Sequence, residues 1–234
     1  ILREKEGFQI GEMTIESIWD PDFSLESELV YGTKDLSHPA VQYLNHISNK
    51  KYLGGSIKKI SMPNHYDYRN YRLTPSFVKT QFKKNNWKKI ISFQTRNPLH
   101  RAHVEMTLQA MRSINAKLLL HPVVGLTKPG DVDHFTRVRC YEKILNEYPK
   151  NSIMLALSPL AMRMAGPREA VLHALIRKNF GCTHIIIGRD HAGPGKDSNG
   201  YPFYGPYDAQ EILCVALYLP EAQDFHLQVF YLPM

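Results

Sequence analysis

From Thr74 to Gly188 the chain alternates short apolar runs with longer segments of helical period, and that alternation leaves few folds open. Ile90-Ile91-Ser92-Phe93 is an apolar run of strand length, and Thr183-His184-Ile185-Ile186-Ile187-Gly188 reads as another strand. Strands are predicted over 89–94, 116–121, 152–157 and 183–188. Between them, 98–114 puts Val104, Leu108 and Met111 on one stripe, and 134–148 buries Val138, Tyr141 and Leu145. A third helix over 167–180 stops at Gly181, and Thr74-Pro75 opens an earlier one through Phe77, Val78 and Phe82. Strand and helix in strict turn imply right-handed crossovers and a parallel sheet, hence an α/β domain over 73–234.

Residues 1–72 have a different texture. Phe8-Gln9-Ile10 and Met13 to Trp19 alternate in the strand manner, and Ser37-His38-Pro39 opens a short helix through Val41 and Leu44. Gly54-Gly55, between Tyr52-Leu53 and Ile57, predicts a hairpin turn. The boundary between the regions is expected near 70–75.

The chemistry concentrates where the first α/β strand gives way to its helix, in Gln94-Thr95-Arg96-Asn97-Pro98-Leu99-His100-Arg101-Ala102-His103. Ligands of open parallel sheets bind at that edge. Asn97 is the expected N-cap and Pro98 the expected first helical residue, so that free N–H groups and the positive dipole end face an anion. His100 and His103, three apart, share a face. Together with Arg96 they form a candidate polyphosphate site. A His-x-x-His pair by itself is more often surface decoration or part of a metal site. No Cys or carboxylate stands beside this one at zinc spacing.

Three further loops leave the same edge. Gly188-Arg189-Asp190-His191-Ala192-Gly193-Pro194-Gly195-Lys196 combines glycines with Arg189 and His191 as added positive charge. Gly125 to His134, with Thr127, Lys128, Gly130 and Asp131, suits either a mobile cover over phosphates or a solvated connection. Arg163, the only charge in Pro159 to Gly166, either pairs internally or faces the pocket. No Ser or Cys sits in a nucleophile elbow and no carboxylate pair stands out, which leaves positioning and charge neutralisation as the means of catalysis.

A net charge of +7 invites a nucleic-acid reading, but the lysines fall in scattered pairs such as Lys58-Lys59 and Lys88-Lys89 rather than a block. A small anionic substrate explains the same excess. No run of eighteen apolar residues and no secretory signal pattern is present, and three widely spaced cysteines argue against a disulfide framework, so a cytoplasmic protein is expected. The chain opens on Ile1 rather than Met and is expected to be part of a longer protein.

Taken together, Gln94-Thr95-Arg96-Asn97-Pro98-x-His100-x-x-His103, Gly125-Leu126-Thr127-Lys128-Pro129-Gly130-Asp131, Pro159-Leu160-Ala161-Met162-Arg163-Met164, Gly188 to Gly195 and Tyr204-Gly205-Pro206-Tyr207-Asp208-Ala209-Gln210-Glu211 closely resemble the sulfate adenylyltransferase (ATP sulfurylase) family, its fungal-type branch in particular. His38-Pro39 and His65-Tyr66-Asp67-Tyr68 share the likeness, which extends over about residues 30–213. The resemblance implies a nucleotidyltransferase-like (Rossmann-like) parallel-sheet domain after a β-rich N-terminal domain. It implies ATP and sulfate as substrates, adenylyl sulfate and pyrophosphate as products, and Mg²⁺ carried with ATP and pyrophosphate, with no protein-held metal. Thr95, Arg96, Asn97, His100 and His103 would be catalytic. Gln94, Arg96 and the Ala192 N–H would hold sulfate. Gln94 to Asn97, Gly188, Arg189, Asp190 and His191 would hold ATP, with Val229 as an adenine contact. The family also implies a homo-oligomer, sometimes fused to or working with an adenylyl-sulfate kinase, and neither nucleic acid nor membrane as partner. No Gly-x-x-x-x-Gly-Lys-Ser/Thr loop occurs in the 234 residues, and the tail beyond Leu213 departs from the family pattern. The competing readings are another His-x-x-His nucleotidyltransferase acting on an organic phosphate, and a non-catalytic RNA-binding relative.

Overall fold

The computed structural model of the chain describes residues 1–46, 51–218 and 227–231. An antiparallel sheet of β1 (Leu2–Arg3), β2 (Gln9–Trp19) and β3 (Tyr52–Lys59) comes first. The short α1 (Phe23–Glu26), capped by Asp22, and α2 (Pro39–His46) lie between β2 and β3 in sequence. The Gly54-Gly55 pair is not a turn. It lies inside β3, opposite a bulge in β2, where Gly54 pairs with Ser17 and Gly55 with Ile15. The reason is close approach: a Cβ on Gly54 would press on the Ser17 hydroxyl and the Trp19 ring, and one on Gly55 would overlap the Thr14 carbonyl.

The second unit alternates as the periodicity requires. Its elements are α3 (Pro75–Lys84), β4 (Ile90–Phe93), α4 (Arg101–Ile114), β5 (Lys117–Leu120), α5 (His134–Ile144), β6 (Ile153–Leu155), α6 (Gly166–Asn179), β7 (His184–Ile187), α7 (Asp208–Tyr218) and β8 (Gln228–Tyr231). The five strands are parallel, in the order β6-β5-β4-β7-β8. Ile91, Phe93, Leu118 and Leu120 pack with Val104, Leu108, Met111, Val138 and Tyr141. Ile90, Leu119, Ile185 and Ile187 pack with Val78, Phe82, Ala170, Ala174 and Leu213 on the other face. Two covered faces are why these strands read as unbroken apolar runs.

The chain winds outward from β4 through β5 to β6, then returns to lay β7 on the other side of β4. The reversal between β4 and β7 parts the loops that follow them and opens a crevice at the carboxyl edge. The N-terminal region leans on that edge. Tyr31, Ala40, Val41 and Leu44 pack with Ala165, and buried His38 places Nε2 3.1 Å from the Met164 carbonyl and 3.2 Å from the Tyr204 hydroxyl.

Candidate active site

The loop after β4 is built by short side-chain bonds. The Thr95 hydroxyl lies 3.1 Å from both the Asn97 N–H and the Asn97 carbonyl, which also accepts from the Tyr141 hydroxyl at 2.8 Å. Burial pushes the Tyr141 phenol up to about 12, so it remains a donor. These bonds hold Asn97-Pro98 in a turn and delay the helix. Asn97 is therefore not the N-cap and Pro98 is not the first helical residue. His100 occupies the cap in extended backbone, and α4 begins at Arg101.

His103, at the third helical position, reaches back with Nδ1 to the His100 N–H at 3.4 Å, and the two rings stand 4.0 Å apart. With Nδ1 accepting, the His103 proton belongs on Nε2, which is left to donate. Partial burial and the neighbouring His100 hold the His103 pKa below its ordinary value. The pair sits at the start of α4, where the helix dipole favours an anion.

Arg96 is half-buried, and its Nη1 donates to both oxygens of Asp131 at 2.6 Å. The loop after β5 thus crosses over to the guanidinium, and a carboxylate engages it in a charge-assisted bond. That loop is anchored at both ends. Gly125 lies against the Leu160 backbone so closely that a Cβ would overlap the Leu160 carbonyl. Asp133 caps α5 by accepting from the Thr136 N–H at 2.9 Å, and His134 Nε2 lies 3.0 Å from Asp67, itself paired with Arg72 at 2.7 Å. Arg163 turns to the N-terminal region and stacks over Tyr43 at 4.6 Å.

After β7 the backbone leaves ordinary conformations. Asp190 and Ala192 have φ of 53° and 56°, in the left-handed region that residues with side chains rarely adopt. The Asp190 N–H donates to Pro206 and the Ala192 carbonyl accepts from Gly166, while the Ala192 N–H has no acceptor among the described residues. A cleft of about 270 Å³ opens here, lined by Lys128, Asp190, His191, Gly195, Lys196 and Tyr204 among others. A Cβ on Gly188 or Gly195 would meet nothing within 4 Å, so both positions face open space. Arg189 is exposed, with its Nε 3.6 Å from Asp190. Neither Gln94 to Asn97 nor Asp131 lines this cleft. Val229 is half-buried in β8 beside Ile185 and packs into the core of that face.

His191 does not add charge as its place in the loop leads one to expect. Burial, with His173 and Arg177 nearby, holds its pKa well below the ordinary value, so it is neutral at pH 7. The cause is a buried polar stripe on α6 that the periodicity concealed: Glu169, His173 and Arg177, four apart, all point inward. His173 Nδ1 lies 2.9 Å from His191 Nε2, and His173 Nε2 lies 3.4 Å from both Gln94 Nε2 and Glu169 Oε1. Glu169 accepts the N–H groups of Arg163 and Ala165, each at 3.0 Å. The signal lay in the i, i+4, i+8 spacing of three polar residues on one helix, the first two each followed by an alanine.

The profile of the ATP-sulfurylase family matches residues 69–225, which include the loops after β4, β5 and β7 and the polar stripe of α6. The chain belongs to the ATP-sulfurylase family. A PUA-like domain profile matches residues 1–62. The sulfate adenylyltransferase of Schizosaccharomyces pombe is 54% identical over 204 residues, covering 87% of this chain and 42% of that protein. Those of Saccharomyces cerevisiae and Emericella nidulans are 51% and 57% identical, covering 91% and 85% of this chain and 41% and 34% of theirs. The chain thus spans about two-fifths or less of the length of these curated relatives. A solved structure described as a hexameric APS kinase from Thiobacillus denitrificans superposes with a TM-score of 0.68 at 24% identity, over 99% of this chain and 37% of that one. That likeness is one of fold. Among the described residues of this ATP sulfurylase family member, no three His, Cys, Asp or Glu side chains converge as metal ligands would, and no helix is long and apolar enough to cross a membrane.

Proposed function

We propose that this chain carries the adenylyl-transfer site of a sulfate adenylyltransferase, joining ATP and sulfate into adenylyl sulfate and releasing pyrophosphate. The observation that carries the reading is the Gln94–His103 loop at the β4/β7 reversal, with a guanidinium held against an oxyanion and an imidazole pair at a helix start. One sulfate oxygen forms a bond to the α-phosphorus while the bond from that phosphorus to the departing pyrophosphate oxygen breaks. Gln94, Arg96 and the Ala192 N–H hold sulfate. Thr95 and Asn97 fix the turn that presents Arg96. His100 and His103 donate to phosphate oxygens as charge moves onto pyrophosphate. Gly188 to His191 and Val229 line the nucleotide side. Mg²⁺ travels with the phosphates as part of the substrate.

The two domains divide at 72/73 on this reading. Three cysteines, odd in number and widely spaced in the sequence, fit a reducing compartment, the cytosol. A homo-oligomer, and an adenylyl-sulfate kinase fused to it or acting beside it, follow from the family resemblance. No observation favours an organic phosphate or RNA as the ligand. The test is isotope exchange between pyrophosphate and ATP in the full-length protein. Exchange that requires sulfate, and release of AMP and pyrophosphate when molybdate replaces it, are expected. Exchange indifferent to both oxyanions overturns the reading.

A further inference from the structure

Three loops of the sheet edge meet at one buried imidazole. Glu169, 3% exposed, accepts the Arg163 N–H on Oε1 and the Ala165 N–H on Oε2, and both bonds favour the ionised form of its carboxyl. It is an ionised carboxylate, and it faces His173 Nε2 at 3.4 Å. That atom must therefore carry hydrogen. His173 is fully buried, and the guanidinium of Arg177, also buried, stands one turn on, its Nη1 3.5 Å from the His173 carbonyl and its Nη2 3.1 Å from the His121 carbonyl. A second cation beside it is disfavoured, so the ring is neutral and Nδ1 is bare. Bare Nδ1, 2.9 Å from His191 Nε2, accepts a hydrogen from that atom. The His191 proton then sits on Nε2, and its Nδ1 is an acceptor.

The same hydrogen on His173 Nε2 decides the polarity of Gln94. The Gln94 amide nitrogen lies 3.4 Å from His173 Nε2, donor against donor, and 3.9 Å from the Met162 sulfur, a weak acceptor, while Gln94 Oε1 is buried without a partner among the described residues. Exchanging the two ends of the amide removes both conflicts. Oε1 then accepts from His173 Nε2–H, and the NH₂ group is left for an acceptor that the protein does not supply.

We propose that His173, held by Glu169, is a positioning residue that sets two polarities at once: Gln94 presents N–H donors to the substrate oxyanion, and His191 presents a lone pair to the nucleoside. The proposal rests on the adenylyl-transfer reading. It specifies the chemistry on each side, since the Gln94 amide takes an oxyanion whereas His191 Nδ1 takes a hydroxyl or amine hydrogen and repels a phosphate oxygen.

Histidine ¹⁵N spectra of the full-length protein at pH 7 test the polarity directly and need no turnover. Both rings are expected as Nε2–H tautomers, and an Nδ1–H or doubly protonated His173 overturns the proposal. Two substitutions then separate the two contacts. His173→Gln keeps an N–H where Nε2 was and loses the acceptor for His191; His173→Asn keeps an acceptor where Nδ1 was and loses the donor to Gln94. The KM for ATP should rise about tenfold in the first and the KM for sulfate about tenfold in the second, the worth of one hydrogen bond, with the other constant within about threefold. Equal rises in both constants for both variants, or none, overturn it by marking a merely structural role. If the wild-type protein adenylylates no sulfate, the functional reading fails, and the tautomer spectrum still decides the positioning claim.

Discussion

Glu169→Gln is the substitution whose cost can be worked most directly from the geometry. The side chain reaches back from the first turn of α6 to the N–H of Ala165, the residue that caps that helix, and to the N–H of Arg163 in the preceding loop. A third donor, His173 Nε2, stands 3.4 Å away. Hydrogen bonds to a charged acceptor contribute about 1.5–3 kcal/mol each, and a buried donor left unsatisfied costs about 1–3 kcal/mol. Glutamine has one acceptor oxygen and an NH₂ group, so one backbone N–H must face another donor and the charge assistance vanishes from the other. The expected loss at pH 7 is about 2–4 kcal/mol, after allowing for partial relaxation of the loop. The pH dependence has a definite sign. Burial alone would raise the Glu169 pKa, but His173 and the two backbone donors hold it below its ordinary value of 4.5. Stability from this carboxylate is therefore fully present above pH 4.5 and is lost as pH falls through the lower folded value. Urea unfolding of wild type and variant at pH 7 and at pH 4 measures both effects. A difference under about 0.5 kcal/mol at pH 7 would refute the reasoning, since that is what a surface substitution costs. So would a difference that does not shrink on acidification.

Arg96→Lys should lower sulfate-dependent turnover at least about a hundredfold, about 2.7 kcal/mol of transition-state stabilisation, because an ammonium cannot offer an oxyanion the guanidinium fork; steady-state rates decide it. His100→Ala and His103→Ala should each lose turnover while the ATP dissociation constant, read by calorimetry, stays near the wild-type value, the pattern of an interaction made in the transition state. His38, His121, His173 and His191 all have folded pKa values below the ordinary 6.5, burial being the first cause in each. The unfolded chain therefore takes up protons first, and stability in a urea series should fall as pH drops below 6.5, by up to about 1.4 kcal/mol per pH unit for each group; a flat profile from pH 7 to pH 5 contradicts this. Adenylyl transfer should invert configuration at an isotopically chiral α-phosphorothioate, as one direct displacement must, and retention would point to an adenylylated enzyme.

The parallel sheet was legible because its strands are buried on both faces, which leaves no polar residue to blur a run such as Ile185-Ile186-Ile187. The helices were legible through stripes such as Val104, Leu108 and Met111. Failures came where a residue's reason lies across the chain. Gly54 and Gly55 read as a turn by type, but the demand for glycine comes from Thr14, Ser17 and Trp19 on the neighbouring strand. Asn97-Pro98 has the composition of a helix start, but the Tyr141 hydroxyl, forty-four positions later, holds the Asn97 carbonyl in a turn. Of the candidate site residues, the structure brings Gln94 and His191 to His173, and Arg96 to Asp131. The Arg96 partner was hidden because Asp131 reads equally well as part of a solvated connection.

The α6 stripe carries this furthest, because it changes how the site handles charge. By composition the loops offer imidazoles and guanidiniums as equivalent positive groups. Folding separates them. His103 and His191 are held toward neutrality by burial and by neighbouring imidazoles, with Arg177 acting on His191 as well. Arg96, Arg189, Lys128 and Lys196 are left to supply positive charge around the candidate site. A neutral imidazole with its tautomer fixed by a second hydrogen bond donates or accepts in a known direction, and it does not gain or lose its proton as an anion arrives. That suits two anions that must approach one another. The guanidiniums offset the repulsion between them, and the imidazoles supply direction without a change of protonation state during the reaction. The arrangement depends on Arg177, whose buried charge costs stability and whose position on the same helix face helps keep the histidines neutral.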